Sequence, residues 1–482
     1  MTMQLSEENI ALLFGHEAAE DESIERLRSY YLKGTTFGQV VNDLPLRILV
    51  GHKGIGKSAL IRVAMDEQKQ EGKLCVLIKP DDIVGIGESE TDLLKLIREW
   101  KKGINEIVSR IALTSFGPAF EGWQGKLAQY GGKAVDFLQS TFKADAYANL
   151  DEAKKFILQR FVQTGKIYVY LDDLDRGWQG KKQDISRISA LLNAVRDISS
   201  ETPGIHFRVS LRSDVFYLVR TSDESTDKVE GSVIWQAWTN HEILALLAKR
   251  IENAFGQSIE TSTLLSRSQP SLARSLDLVM ETHFEGKGNW VHIPTYRMLM
   301  SLVRKRPRDI VKLCTLAARN AHSRGSAKIG TDDFNAIFAE YSQGRLQDTV
   351  NEYRSELPDI QRLLFGMKPN KLERKASSGY TYTTDALLKK IANIQEGGGF
   401  RFANQIIVDR RELAAFMYKI NFLTARKEAG EFIERKYFEE NRYLSQSFAD
   451  FGYDWEVHPA YPWALQPDDL GSIFGSLRPS AD

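Results

Sequence analysis

The sequence contains little cysteine and no long apolar run. Its two cysteines, Cys75 and Cys314, are far apart in apolar surroundings, which indicates buried thiols in a reducing compartment and not a disulfide framework. No uninterrupted apolar segment is long enough to span a bilayer. The segment from Leu5 to Ala19 carries acidic residues and no apolar core, unlike a signal peptide. We therefore expect a cytoplasmic protein that does not bind membranes.

The chain also has no net charge. Its 64 basic residues balance 64 acidic ones, so no field of the whole molecule attracts nucleic acid. Binding of DNA or RNA would need a local basic patch. The spacing of cysteine and histidine does not suggest zinc, and no nucleophile motif indicates a protease or nuclease. At 482 residues the chain exceeds one ordinary domain.

Apolar segments alternate with helical ones in the first half of the chain. Strands are predicted at 46–50, 74–78, 167–171 and 206–211, with glycine-interrupted helices between 90 and 165. This alternation predicts a parallel sheet covered by helices on both faces. The pattern becomes helical after about residue 238 and mixed after about 340. We predict an N-terminal segment, an α/β core, a helical lid and a C-terminal domain, at 1–45, 46–240, 241–340 and 341–482.

A glycine-rich motif follows the first predicted strand. It has a glycine, four free positions and Gly-Lys-Ser, which is the P-loop pattern. Glycine lets successive N–H groups point into one concavity that binds phosphate, and the helix that follows adds its dipole. We expect Lys57 to bind the outer phosphates and the Ser58 hydroxyl to ligate Mg²⁺. The predicted ATP-binding residues of this segment are Gly51, His52, Lys53, Gly54, Ile55, Gly56, Lys57, Ser58 and Ala59.

An acidic motif follows the third predicted strand, where a P-loop enzyme needs a carboxylate near its metal. Asp172 is the expected metal residue in Asp172-Asp173-Leu174-Asp175. Asp173 is one step further on and should point to the other side of the strand end. We therefore predict that Asp173 is the base that orients the attacking water.

More than a hundred residues separate these two motifs, which leaves room for an extra strand. The strand that follows the acidic motif ends in Arg212 and Ser213. In additional-strand P-loop ATPases this element lies between the other two, and a polar residue at its tip faces the terminal phosphate. Arg212 or Ser213 would take that place, and Arg212 is our catalytic candidate beside Lys57 and Asp173. ATP is favoured over GTP because no guanine-reading Asn-Lys-x-Asp motif occurs.

These motifs resemble those of the AAA+, STAND and KAP group of P-loop ATPases. Tyr170–Arg176 is similar to the Asp-Asp-Leu-Asp-Arg form of KAP and STAND members. Arg304–Ile310 is similar to the sensor-2 segment of origin-recognition-like ATPases, which implies that Arg308 reaches the terminal phosphate from the lid. Phe14–Asp21 is similar to the start of bacterial P-loop ATPases often found beside phage-defence genes. The C-terminal portion looks like a degenerate winged helix.

The resemblance implies a fold, an assembly and an activity. The expected fold is an α/β additional-strand P-loop NTPase followed by a helical lid and a winged-helix-like domain. A homo-oligomer is expected, with an arginine supplied in trans by Arg176, Arg196 or Arg220. Asp173 stands where many AAA+ members have glutamate, so the shorter base predicts slow hydrolysis.

Three functions are compatible with these predictions. The first is an ATP-hydrolysing switch that couples nucleotide state to assembly or to a protein partner or effector chain, in bacterial antiphage defence. The second is a loader or regulator that binds DNA or RNA, motivated by the basic run Arg304–Arg308 and the winged helix. The third is a scaffold that ATP stabilises with little turnover.

Overall fold

The computed structural model describes residues 3–88, 90–114, 166–222, 224–371, 373, 379–403, 407–430, 432–444, 452–466, 473–475 and 477–480. Much of the region of glycine-interrupted helices predicted between 90 and 165 lies outside these residues. The described residues form two compact units. The sheet unit comprises Lys33–Lys53 and Lys57–Gln236, and the helical unit comprises Met1–Leu32, Gly54–Gly56 and Ala237–Asp482.

The four predicted strands are present, each within one residue of its predicted bounds. The helices are α1 Glu7–Phe14, α2 Ile24–Tyr30, α3 Thr35–Val41, α4 Lys57–Gln70, α5 Leu93–Thr114, α6 Lys182–Glu201, α7 Ser213–Ser222, α8 Asn240–Ala254, α9 Thr261–Ser266, α10 Gln269–Leu276, α11 Thr295–Leu302, α12 Pro307–Ser323, α13 Thr331–Tyr353, α14 Ile360–Gly366, α15 Thr384–Glu396, α16 Arg410–Lys419 and α17 Pro462–Leu465. The strands are β1 Leu46–Gly51, β2 Leu74–Ile78, β3 Ile167–Leu171, β4 Ile205–Arg212, β5 Val233–Trp235, β6 His283–Phe284, β7 Ile293–Pro294, β8 Thr381–Tyr382, β9 Phe400–Arg401, β10 Ile407–Val408, β11 Leu423–Ala429, β12 Phe432–Lys436 and β13 Asp454–Val457. In the described part of the chain, no helix is both long and apolar enough to cross a bilayer.

The sheet unit is built on a parallel sheet with the strand order β2-β3-β4-β1-β5. Its strands are nearly continuous apolar runs because helices cover both faces, and all five residues of β3 are buried. Strand β4 lies between β3 and β1, as predicted for an additional-strand P-loop fold. The short edge strand β5 was not predicted, because three residues carry too little periodicity. The predicted fold class is confirmed.

The helical unit packs α8, α11, α12 and α13 around one apolar core. Helix α8 begins with a capping box in which Thr239 and Glu242 exchange hydrogen bonds with each other's backbone. Helix α10 ends at Leu276, and the backbone that follows it bonds to Ile329. Helix α13 is continuous through residue 340, where a domain boundary was predicted.

The C-terminal part of the helical unit has a winged-helix-like arrangement. Helices α15 and α16 pack together, and the antiparallel hairpin β11–β12 follows them. These strands belong to an antiparallel sheet with the order β12-β11-β13-β8. Near its end the chain returns to this sheet, where Ser480 forms a parallel bridge with Ile433. Ser480 therefore lies beside the outer strand of the wing hairpin.

Candidate nucleotide-binding site

The loop between β1 and α4 has the backbone that a phosphate-binding loop requires. Strand β1 ends at Gly51 and α4 begins at Lys57, so the loop leads directly into a helix N-terminus. Gly54 has φ +78° and Gly56 has φ +97°, in the left-handed region that side chains disfavour. Unbonded N–H groups at the start of a helix attract anions. The sequence pattern and the backbone therefore agree on an anion-binding loop.

The lysine of the motif is turned back onto its own loop. Lys57 Nζ donates to the Gly51 carbonyl oxygen at 2.9 Å and to the His52 carbonyl oxygen at 3.1 Å. Its ammonium group thus lies within hydrogen-bonding distance of the turn that leaves β1. Ser58 is the next residue, in the first turn of α4, and is half-buried. This places a cation and a hydroxyl group at the helix N-terminus.

The tip of the loop, Gly54–Gly56, is held by residues of the helical unit, to which it belongs. The Arg308 N–H donates to the Gly54 carbonyl oxygen at 3.3 Å, and Trp238 Nε1 donates to the Ile55 carbonyl oxygen at 2.8 Å. Arg308 lies in the first turn of α12, where N–H groups lack acceptors within the helix. A Cβ atom on Gly54 would lie 3.0 Å from Arg308 Cβ. The residue predicted to reach the phosphate from α12 therefore contacts the loop tip.

The Arg308 guanidinium is directed to the N-terminal segment. Its Nε donates to the Glu17 carbonyl oxygen at 3.3 Å, and the Glu17 carboxylate pairs with Lys312 at 2.9 Å. Glu17 belongs to the segment 14–21, which resembles the start of bacterial P-loop ATPases. The segment and the first turns of α12 are thus neighbours in the helical unit.

The acidic motif occupies a tight turn beyond β3. The strand ends at Leu171, and Asp173 has φ +60°, a left-handed conformation. The Arg176 N–H donates to the Asp173 carbonyl oxygen at 3.0 Å. The alternation of side chains along a strand therefore does not determine the direction of Asp173, contrary to the argument from the sequence. Asp172 is half-buried and Asp173 is exposed.

The two candidate residues at the tip of β4 have different contacts. Arg212 Nε and Nη2 donate to the Asp214 carboxylate at 3.0 and 2.6 Å, and Nη1 donates to Asp175 Oδ2 at 3.2 Å. The hydroxyl oxygen of Ser213 lies 3.0 Å from His52 Nδ1. Arg212 thus links β4 to the acidic turn, while Ser213 contacts the glycine-rich motif. Sequence analysis did not identify Asp175 and Asp214 as partners, although an aspartate two residues after Arg212 could have suggested one.

The residues present fit a nucleotide with a hard divalent cation. In a parallel sheet the carboxyl ends of β1 and β3 lie along one edge, where α4 and the acidic turn begin. Ser58 and Asp172 supply a hydroxyl and a carboxylate oxygen, which are ligands that Mg²⁺ prefers. Lys57 supplies a cation beside a loop that can point N–H groups at phosphate. This combination matches the chemistry of a magnesium–triphosphate.

The basic run that suggested nucleic-acid binding is mostly internal. Arg304 and Arg306 are 3% and 2% exposed. Arg304 pairs with Asp309 at 2.7 Å, and Arg306 pairs with Glu352 at 3.2 Å. Lys305 is paired with Glu440. The run is therefore not a basic surface, because two of its arginines are buried and three of its basic side chains are paired with carboxylates.

Two of the three candidate trans-acting arginines have acidic neighbours in the same chain. Arg196 pairs with Asp197 at 3.1 Å, and Arg220 pairs with Glu230 at 2.9 Å. Arg176 is exposed in the turn after the acidic motif. Which of them, if any, acts on a second copy stays a prediction, as does the homo-oligomer itself.

Similarities to known proteins extend over most of the chain. Residues 241–350 match the FunZ-associated C-terminal helical domain. The putative transposon gamma-delta 80.3 kDa protein of Escherichia coli K12 is 22% identical over 453 residues, which cover 86% of this chain and 61% of that protein. The chain thus spans less than two thirds of this curated relative's length.

The solved structures to which the chain is similar include proteins of Aeropyrum pernix and Thermotoga maritima. The ORC2 protein of Aeropyrum pernix, in its ADPNP–ADP complexes, is 12% identical with a TM-score of 0.42, and the match covers 94% of this chain and 91% of that one. The RuvB Holliday junction branch migration motor of Thermotoga maritima is 11% identical with a TM-score of 0.31, over 89% and 94%. The strand order and the glycine loop of this chain, taken by themselves, define an additional-strand P-loop NTPase fold.

Proposed function

We propose that this protein binds and hydrolyses ATP at the loop Gly51–Ser58 and acts as a nucleotide-dependent molecular switch. The observation that carries the proposal is the loop itself. Left-handed glycines lead into a helix N-terminus, and Lys57 Nζ lies over the loop carbonyls. Neither a core strand nor an ordinary solvent-exposed turn requires left-handed glycines, a helix N-terminus and a lysine at one place.

Each candidate site residue in the sheet unit has a chemical role in the proposal. Lys57 neutralises charge on the outer phosphates, and the N–H groups of the loop donate to the phosphate oxygens. Ser58 and Asp172 would hold Mg²⁺, which when bound withdraws charge from the phosphates. Asp173 orients the attacking water as a general base. At the tip of β4, Arg212 or Ser213 responds to the terminal phosphate.

The switch is proposed to operate through α12. Arg308 contacts the loop tip at Gly54, and in the proposed switch its guanidinium exchanges its Glu17 acceptor for a phosphate oxygen. A ligand shifts a conformational equilibrium only through different affinities for the two states. A contact made with ATP and lost with ADP would give Arg308 that difference. Assembly into a homo-oligomer or binding of an effector chain is the proposed output.

The finer assignments depend on resemblance. AAA+ and STAND membership follows from the segments 170–176 and 304–310, and the role in antiphage defence follows from the segment 14–21. These stay predictions, as does the cytoplasmic location. A DNA- or RNA-dependent loader stays the alternative, but the burial of Arg304 and Arg306 removes the basic run that motivated it.

Lys57→Ala tests the proposal directly. ATP affinity and turnover are measured for the full chain, for Lys57→Ala and for Lys69→Ala, an exposed lysine at the other end of the same helix. We expect Lys57→Ala to abolish turnover and Lys69→Ala to preserve it. Unchanged ATP affinity in Lys57→Ala would refute the proposal. Turnover that rises only with duplex DNA, single-stranded DNA or RNA would favour the loader.

Asp173→Asn distinguishes the switch from a scaffold with little turnover. Asparagine tolerates the left-handed backbone at this position, so the substitution removes the charge without straining the turn. We expect ATP affinity to stay within about twofold of wild type while turnover falls about a hundredfold, as for loss of a general base. Partner engagement that persists without turnover would identify a scaffold.

A further inference from the structure

A buried network of charged and hydroxyl groups begins next to Arg308. The Asp309 carboxylate accepts from Arg304 Nε at 2.7 Å and from Arg304 Nη2 at 2.9 Å. Arg345 of α13 donates to the same carboxylate at 2.7 Å. The three side chains are between 1% and 4% exposed. The residue after Arg308 is therefore fixed by two arginines that water does not reach.

Arg304 extends this network into the C-terminal domain. Its Nη1 donates to the Thr349 hydroxyl at 2.9 Å and to the Tyr461 hydroxyl at 3.0 Å. The two hydroxyl oxygens are themselves 3.0 Å apart. Tyr461 is fully buried and immediately precedes α17, more than a hundred residues beyond the end of α13. Its hydroxyl group is thus the point at which the C-terminal chain meets Arg304.

A second contact holds the segment before α12 from the same side. The Tyr437 ring lies 4.5 Å from Lys305 Nζ, and the Tyr437 hydroxyl is 3.5 Å from the Val303 carbonyl oxygen. His458 Nε2 lies 2.7 Å from the same hydroxyl. Tyr437, which follows β12, therefore contacts the chain that leads into α12, and His458, which follows β13, contacts Tyr437.

These groups can rearrange only together. Burial would raise the pKa of the Asp309 carboxyl, but Arg304 and Arg345 outweigh burial and hold that pKa below its ordinary range. Separating one partner would leave a buried charge unpaired, which is strongly destabilising. A shift of α12 therefore moves Arg304 and its hydroxyl partners together, and the hydrogen bonds of the network stay intact.

We propose that Tyr461 is a positioning residue that acts through Arg304 and Asp309 on Arg308. The C-terminal domain then sets how well Arg308 is placed for nucleotide, and nucleotide binding in turn biases the C-terminal domain. Such coupling is reciprocal by thermodynamic necessity. The inference rests on the proposed function, since it requires Arg308 to contribute to ATP binding.

Tyr461→Phe is the decisive variant because it removes the hydroxyl group and keeps the ring. ATP affinity is measured for the full-chain wild type, Tyr461→Phe, Arg308→Ala and the double variant. We expect Tyr461→Phe to weaken ATP binding roughly three- to tenfold, in the range found for residues of coupling networks. In the Arg308→Ala background the same change should have no further effect, because the residue that it positions is gone.

Tyr380→Phe is the matched control. Tyr380 is 1% exposed, and its hydroxyl donates to Gln466 Oε1 at 2.7 Å in the same domain. A merely structural role of Tyr461 predicts that both variants weaken ATP binding alike. It also predicts that Tyr461→Phe and Arg308→Ala add independently. Either result would overturn the inference.

Hydrogen exchange provides the reciprocal readout. ATP should change the protection of the amides of β13, Asp454–Val457, in the wild type and not in Tyr461→Phe. ATP binding that depends on Lys57, together with unchanged β13 protection in the wild type, would overturn the coupling alone. A wild type that does not bind ATP, or binds it as Lys57→Ala does, would overturn the proposed function and this inference with it.

Discussion

The Ser213 hydroxyl oxygen and His52 Nδ1 lie 3.0 Å apart, which joins the tip of β4 to the second residue of the glycine-rich motif. Both side chains are 3% exposed. Two parallel strands that are neighbours in the sheet, β4 and β1, thus have their carboxyl ends linked by side chains as well as by backbone. A buried hydrogen bond at this position stabilises the path of the loop where it leaves the sheet.

Ser213→Ala should weaken ATP binding about fivefold, because one net hydrogen bond contributes about 1 kcal/mol. The loop would leave its phosphate-binding path more often. Isothermal titration with ATP measures the change. Ser199→Ala is the control, since Ser199 is buried on α6 and its hydroxyl donates to the Arg196 carbonyl oxygen at 2.8 Å. Equal affinity in the two variants would contradict the prediction.

Gly54→Ala should impair nucleotide binding more than stability. The new Cβ would lie 3.0 Å from Arg308 Cβ, and the residue would have to keep φ +78°. We expect ATP affinity to fall about five- to thirtyfold, because left-handed strain costs about 1–2 kcal/mol. Gly344→Ala is the opposite case, since it lies within α13 with open space around it and should stabilise by about 0.5–1 kcal/mol. Thermal unfolding and ATP titration of both variants check the pair of expectations.

Asp214→Ala should destabilise the sheet unit. Its fully buried carboxylate holds Arg212, whose side chain is 13% exposed. Removing one partner of a buried ion pair costs roughly 3 kcal/mol, because the other charge stays desolvated. Glu230→Ala removes the partner of Arg220, where both side chains are exposed, and should change stability by less than about 0.5 kcal/mol. Urea unfolding followed by tryptophan fluorescence compares them, and similar midpoints would show that Asp175, another partner of Arg212, is sufficient to pair it.

The stability of the helical unit should fall as the pH drops below about 6.5, and His458 should contribute to that fall. Burial, with Arg435 nearby, holds the pKa of His458 well below its ordinary value of 6.5. Nδ1 accepts from the Ala460 N–H at 3.0 Å, so the ring in this arrangement is neutral at that nitrogen. Below pH 6.5 the His458 ring takes up a proton in the unfolded chain but stays neutral in the folded chain. Stability contributed by the neutral ring is then lost at up to about 1.4 kcal/mol per pH unit, and above pH 6.5 it is constant.

His458→Gln tests this pH dependence. The slope of the unfolding midpoint between pH 6.5 and 5 should become shallower in this variant, whatever its absolute stability. His16→Gln, at an exposed histidine of the N-terminal segment, should keep the wild-type slope. An unchanged slope in His458→Gln would show that this histidine does not titrate on unfolding.

Much of the sheet unit could be predicted because its signals are local. The strand prediction at 167–171 coincides with β3, and the one at 74–78 coincides with β2, since buried parallel strands are short continuous apolar runs. The P-loop was recognisable because glycine and lysine are needed at particular backbone positions. The place of β4 between β3 and β1 followed from motif spacing together with the resemblance.

Contacts between distant residues could not be predicted in this way. Arg304 and Arg306 look like a basic surface in the sequence, and they are internal because Glu352, 46 residues after Arg306, and Asp309 meet them there. The direction of Asp173 was argued from strand alternation, and a left-handed turn replaced the strand at that residue. A short apolar period therefore indicates neither the distant partner of Arg306 nor the turn that ends the strand pattern before Asp173.

The sequence alone therefore determined the glycine-rich loop, the buried strands and the place of the acidic motif after β3, because these signals come from adjacent residues. The tertiary structure alone decided which polar groups meet: Ser213 with His52, Arg212 with Asp175, and Arg304 with Tyr461. Those pairs lie 161, 37 and 157 residues apart. Bringing such groups together costs conformational entropy, which only the folding of the whole unit offsets. Burial then makes each of these hydrogen bonds costly to leave unmade.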